Sequence, residues 1–490
     1  MPDSDPTFTV HTSLSFDPRQ KKFVSNLSFT VDRVTGAIAD IYHRDPFDED
    51  SLILADHDID LRDKVVLPGL VDSHTHIFLH SYRERSGTEQ MRDESAVERV
   101  VRASNAARAA LLAGFTTYRD LGTEALGNAD ANLRDCINRG LTPGPRMFVA
   151  TEALASTGSY ELRVENRLGG QLTVPRACDA ADGVDGVRAA VRRRVGDGAD
   201  LIKFYADYRR KVMRFPQTGP RPVRFPPPER RRNPAVPLYS QEEMDAIVKE
   251  ADRAEMPVAA HAGETRAALM AVRAGVRSVE HIFEDTDDIA ETLFQEMRTR
   301  GTIWVPTLAT AELMVKADIF AAQKVMVKRA FDVGVRLAAG GDTGTFDHGL
   351  NARELEILEE IGLPVEEVLA AATIGGWEAC GGDRCGFRFG WFEKGNRADV
   401  VALDADPRLD KQALRKVSFV MKDGEVWKRN GEVITNMAIR VPDWPNAVES
   451  SPSPRSSDEW TELGDAQPPM VMSVPPPVCT SPKSAKGHKQ

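Results

Sequence analysis

What most constrains this chain is a repeated coincidence: six residues of metal-ligand type each stand where a short apolar run ends. The clearest case is residues 65–80, VVLPGLVDSHTHIFLH, where the run 65–71 gives way to Asp72, Ser73, His74, Thr75 and His76. A buried strand ending there delivers two imidazoles on alternate residues, and the two-residue period of a strand puts both on one side. One His-x-His says little alone, because a pair of surface histidines reads the same way. Only ten histidines occur in 490 residues, however, and His261 and His281 close two further apolar runs, as do Lys203 and Asp342. Six such residues at strand ends point to a metal site at the mouth of a barrel.

The periodicity supplies the barrel. After the His-x-His strand, AVERVVRASNAARAALLAG has the apolar stripe of a helix with Gly114 just past its end, and FTTYRD follows as a strand. Strand and helix patterns then alternate through RMFVATEAL, DLIKFYAD, PVAAHAGE, RSVEHIFED, TIWVPTL and VRLAAGGDTG. Ser240 with Glu243 three residues later predicts a capping box for the fourth helix. Eight strands, each followed by a helix, imply parallel pairing and an α/β fold, a (β/α)8 TIM-like barrel over residues 65–385. An open doubly wound sheet would not gather strand ends one, four, five, six and eight around one point, whereas a barrel does.

The flanks read differently. Residues 1–64 and 386–440 show short apolar runs between Asp, Gly and Pro turns, including Asp423-Gly424 between two runs, a hairpin signal. They predict a small β-sandwich domain built from both ends of the chain. Residues 441–490 are rich in Pro and Ser without periodicity and are expected to be disordered. Residues 209–237 interrupt the barrel with nine Arg or Lys against one Glu and many prolines. They read either as a solvated insertion or as a lid whose arginines attract a substrate carboxylate.

Composition narrows the function. A net charge of −11 argues against nucleic acid as a general partner. No run of about 18 apolar residues suits a membrane span, and an N-terminus without an apolar core does not read as a secretory signal, so a cytoplasmic protein is expected. Five scattered cysteines without a CxxC fit neither a disulfide framework nor a Cys zinc site.

Imidazoles and a carboxylate suit zinc and its neighbours in the first transition row. Lys203 is the odd member, since an ammonium is no ligand. A lysine that has reacted with CO2 becomes a carbamate, whose two oxygens can bridge two cations. LPGLVDSHTH, GFTTYRDLG, ADLIKFYAD, VAAHAGE, SVEHIFED, AAGGDTG and GNRADVVALDADP together resemble the amidohydrolase superfamily, in its binuclear branch with a carboxylated lysine. Within it the chain is similar to the Xaa-Pro dipeptidase-like and ochratoxinase groups.

The resemblance implies that His74, His76 and Asp342 hold one divalent metal, His261 and His281 a second, and N6-carboxylated Lys203 bridges them. Zinc is the expected metal. It further implies a metal-bridging hydroxide as nucleophile, Asp342 as the catalytic proton carrier, an amide of an amino acid or similar carboxylated amine as small-molecule substrate, and a homo-oligomeric assembly. Arg119, Tyr160 and Tyr205 are the substrate-binding candidates, Tyr160 as a hydrogen-bond donor to the carbonyl or oxyanion. His80 and His348 are read as non-ligands.

Departures from the family pattern, Gly263 and Tyr160 where relatives carry histidines and bulky or polar residues after Lys203, predict a differently shaped pocket. Two other readings remain open on residues alone. His261-Ala-Gly-Glu264 resembles the hydrolytic deaminases and cyclic-amide hydrolases of the superfamily, and a barrel can serve as a non-catalytic scaffold. The lid reading predicts that deleting 209–237 raises KM for anionic substrates far more than for neutral ones. Equal effects in steady-state kinetics would contradict it.

Overall fold

Strand and helix alternate through the middle of the chain as the periodicity predicts. The computed structural model describes residues 6–45, 54–160, 164–167, 170–173, 176–209, 235–285 and 288–434. These fall in the unit Met1–Met437, while the unit Ala438–Gln490, and with it all of the expected tail, lies outside them. Most of the Arg-rich insertion, 210–234, is also outside; its ends, Asp207–Arg209 and Ala235–Pro237, pair as antiparallel strands.

All eight expected strands are present. Leu70–Thr75, Phe115–Asp120 and Arg146–Val149 form a three-stranded parallel sheet. Ala153–Ala155, Ile202–Tyr205, Val258–Glu264, Ser278–Glu284, Ile303–Val305 and Arg336–Leu337 lie in that order in a seven-stranded parallel sheet, with Cys178–Ala180 added at its edge. Main-chain bonds also link the two sheets. Asp200 N donates to Val149 O at 2.8 Å, and Ser73 N donates to Ala339 O at 2.8 Å beside a parallel bridge between Thr75 and Thr343. The last of the eight therefore touches the first.

Helices pack apolar faces on these strands, as in Gln241–Asp252, which buries Met244, Ile247 and Ala251. Its start is the expected capping box. Ser240 Oγ accepts from Glu243 N at 3.3 Å, and Glu243 Oε2 accepts from Ser240 N at 2.7 Å. None of the described helices is long and apolar enough to cross a membrane.

Strands from both ends of the chain join in one nine-stranded sheet, in which Ile59–Pro68 is the link: it runs parallel to Thr7–Asp17 and antiparallel to Val400–Leu403. Phe8, Val10, Phe29, Val66, Val400 and Met421 fill its own apolar cluster. The hairpin signal at Asp423-Gly424 holds, with Lys422 paired to Glu425 across a turn whose two residues have φ of 53° and 76°.

One expectation is corrected. The run 65–71 is not a single strand leading to His74, because Ile59–Pro68 ends in the nine-stranded sheet and Leu70–Thr75 begins the parallel series. Pro68 lacks the amide hydrogen to extend a ladder. Gly69 then passes so close to the next strand that a Cβ there would stand 2.1 Å from Thr116 Oγ1.

Gly340 marks a similar approach where the last strand meets the first: a Cβ would lie 2.6 Å from His74 N and 2.7 Å from Val305 Cγ1. Gly340→Ala is therefore expected to lower the thermal unfolding midpoint, at a cost of about 1–3 kcal/mol for forced overpacking. An unchanged midpoint would contradict this close approach.

Candidate functional site

Three lone pairs meet at the carboxyl end of the first parallel strand. His74 Nδ1 lies 2.9 Å from Glu280 Oε2, and a carboxylate can only accept, so Nδ1 carries the proton and Nε2 is bare. His76 Nδ1 lies 2.9 Å from the Gly122 carbonyl, which fixes the same tautomer. Both Nε2 atoms then face Asp342 Oδ1, at 3.5 Å from His74 and 3.4 Å from His76. His74 Nε2 is buried and has no hydrogen-bond partner. Protonating that imidazole is no remedy, because burial, and then the Lys203 charge, hold its pKa well below the ordinary histidine value.

Three acceptors aimed at one buried point repel unless a cation sits between them. Ligands about 2.0–2.2 Å from a tetrahedral ion stand roughly 3.3–3.6 Å apart, close to the separations seen here. The donor set therefore fits a divalent metal, and His74, His76 and Asp342 could hold it.

The other expected residues line the same region. The His281 ring centroid lies 4.8 Å from that of His74, tilted to it, and 4.6 Å from that of His261, edge-on, and His261 lies 4.7 Å from the Tyr205 ring. Lys203 is buried, with Nζ 6.0 Å from the Tyr205 centroid, and burial lowers its pKa to about 8. The structure thus brings all six together.

Backbone strain holds part of the set. Asp342, His281 and Ile282 all have left-handed φ, at 59°, 77° and 58°. Such conformations persist where the surroundings overdetermine them. The His281 carbonyl accepts from Trp304 Nε1 at 2.9 Å and Gln323 Nε2 at 3.3 Å, and His281 Nδ1 lies 2.8 Å from Thr307 Oγ1. Buried Asp72 accepts from His74 N, Thr343 Oγ1 and Asn351 Nδ2, tying the first strand to the Asp342 loop.

Two substrate-contact expectations change. Arg119 is buried beneath the site, with its donors taken up by Ser73 O, Ser278 Oγ, Ala379 O and Glu280 Oε1. It supports the carboxylate behind His74 rather than meeting a substrate. Tyr160 already donates its hydroxyl proton to Glu124 Oε2 at 2.5 Å, so an oxyanion would have to displace Glu124. Tyr160, Tyr205 and Tyr208 pack together as an aromatic wall beside His261. His80 and His348 are engaged elsewhere, with Glu94 and with Leu79 O and Tyr118.

Two carboxylates, Glu280 and Glu124, have no reading in the sequence, and a third, Asp207, reads there only as one of the bulky or polar residues after Lys203. Glu124 Oε1 stands 3.5 Å from His76 Nδ1. Asp207 accepts from Gly263 N and Glu264 N and lies 3.8 Å from His261 Nε2, and burial raises its pKa to about 6. Only its strand-end position, four residues after Lys203, hinted at Asp207. Glu280 precedes a ligand-type histidine but points to the opposite partner set.

Comparison with known proteins agrees with this geometry. The profile of the amidohydrolase family matches residues 65–428. Ochratoxinase of Aspergillus niger is 28% identical over 401 residues, covering 75% of this chain and 76% of its own. The crystal structure of a Xaa-Pro dipeptidase with bound methionine in the active site is 27% identical, with a TM-score of 0.69 over 86% of this chain and all of that one. The A. niger ochratoxinase crystal structure, at 24% identity, gives a TM-score of 0.70 over 88% of this chain and 97% of that one, a likeness of fold.

Removing Arg119 leaves the Glu280 carboxylate buried without its cation. Arg119→Met is expected to destabilise the protein by about 3–5 kcal/mol, the usual effect of breaking a buried ion pair. Chemical denaturation of the variant measures it; unchanged stability with a raised KM would restore the substrate-contact role.

Proposed function

The chain belongs to the amidohydrolase family and is a hydrolase of amide bonds; from that premise we propose that it uses two divalent cations, zinc by preference, to cleave a peptide-like or N-acyl amino acid amide. The observation carrying this reading is the convergence of His74 Nε2, His76 Nε2 and Asp342 Oδ1 on one buried point. His74, His76 and Asp342 would hold one ion and His261 and His281 the other, with carboxylated Lys203 between them. A pKa of about 8 supports the last step, because it leaves about a tenth of the amine neutral at pH 7. That amine adds to CO2, forming an N–C bond and releasing a proton.

When bound, the cations acidify a water and polarise the scissile carbonyl. Asp342 takes the proton of the attacking water and passes it to the leaving amine, and burial supports this by raising its pKa above the ordinary carboxylate value. Tyr205 and Tyr160 shape the pocket beside His261, and their rings offer a flat apolar face to the substrate. The reading extends to the architecture. The eight parallel strands act as a closed (β/α)8 barrel within the expected 65–385, entered at Leu70, and the nine-stranded sheet as a small β-sandwich domain from residues 1–64 and 386–440 together with residues 65–68. The first-to-last bonds at Ser73 and Thr75 and the Val66-to-Ala402 pairing support it. A cytoplasmic setting suits the free thiols of Cys136, Cys380 and Cys385, and a homo-oligomer suits the family.

Zinc-loaded protein assayed against N-acyl amino acids, dipeptides and aminated heterocycles should release free amine; release of ammonia would favour the deaminase alternative, and inactivity with full metal loading the scaffold. Lys203→Ala should lose metal and turnover together, with short carboxylic acids restoring part of both. Retention of both ions in that variant, measured by elemental analysis, would refute the carbamate bridge.

A further inference from the structure

The imidazoles of the site are not backed alike. His76 Nδ1 faces the Gly122 carbonyl and His281 Nδ1 faces the Thr307 hydroxyl, whereas His74 donates to the Glu280 carboxylate at 2.9 Å. Glu280 is itself immobilised. Its Oε1 accepts from Arg119 Nη2 at 2.8 Å and from Ser278 Oγ at 2.5 Å, which leaves Oε2 to His74. Glu280, Ser278 and His74 are fully buried, and Arg119 is 1% exposed.

We propose that Glu280 is a positioning residue that sets cation affinity in the His74, His76 and Asp342 half of the site, making that half the tighter of the two. The inference rests on the two-cation reading above. A carboxylate on the far nitrogen fixes the tautomer that bares Nε2, fixes the ring's direction, and pushes electron density toward the metal-facing nitrogen. The low-dielectric surroundings strengthen that hydrogen bond relative to one in water. Arg119 supplies the matching cation, so the carboxylate, on the strand Ser278–Glu284, is not left buried without a partner. The ligand atoms of this half already lie within 4.8 Å of one another, while the other half has only two imidazoles, His261 and His281, beside the carbamate that both share.

The test uses the full chain loaded with Zn2+ in bicarbonate buffer, titrated with a chromophoric chelator, in wild type, Glu280→Gln and Glu280→Asp. Wild type should release zinc in two steps. Glu280→Gln should weaken the tighter step about 10–100-fold and leave the other in place. Glu280→Asp keeps the charge that Arg119 needs but shortens the arm, and should shift the same step in the same direction; it decides the matter if Glu280→Gln does not fold. A merely structural role would weaken both steps together, and that result, or release indistinguishable from wild type, overturns the inference while leaving the two-cation reading intact. Wild type that takes up no zinc would remove both.

Discussion

Everything in this molecule is arranged around a repulsion that the polypeptide cannot relieve by itself. Two imidazole nitrogens and a carboxylate oxygen, each with a lone pair, are held together, each nitrogen about a tetrahedral ligand spacing from the oxygen, in a place from which water is largely excluded. A solvated site would relax by turning a ring or taking up a proton. Here the rings are pinned by their far nitrogens and burial disfavours the His74 imidazolium, so the relief has to come from a cation.

The pinning explains features that would otherwise read as defects. Left-handed backbone at Asp342 and His281 costs of order 1–3 kcal/mol for each residue. Trp304, Gln323 and Thr307 hold the His281 turn, and Asp72 with Asn351 and Thr343 holds the turn at Asp342. The apolar core offsets that strain. Val71, Leu154, Phe204, Ala260, Val279 and Trp304 are all buried beneath the strand ends, on strands whose partners on either side are parallel.

Much of this was legible in the residues, and the rest shows where one-dimensional reasoning stops. The ligand-type residues could be found because each ends an apolar run, and a strand's carboxyl end has one location in an alternating strand-helix chain. Capping and hairpin signals at Ser240 and Asp423 are local, so they survived folding unchanged. The division at Pro68-Gly69 was hidden because both halves of the run are buried and apolar, though they belong to different sheets. Arg119 reads in the sequence as a substrate contact, but the partner of a strand side chain lies across the sheet and not beside it in the chain. Arg119 turns to Glu280, 161 residues away, and Asp120 to Thr75 and Ile77. Glu280 and Glu124 escaped notice for the same reason. A carboxylate that serves another side chain leaves no spacing in the sequence.

The central claim concerns what occupies the point between those lone pairs. Diffraction from crystals grown with zinc and bicarbonate, recorded at the zinc absorption edge, addresses it directly. The account predicts two anomalous peaks about 3.5–4 Å apart among His74, His76, His261, His281 and Asp342, with density continuing from Lys203 Nζ to a carbamate between them. A bare Lys203 amine, with no anomalous peak beside the Nε2 atoms of His74 and His76, would contradict it.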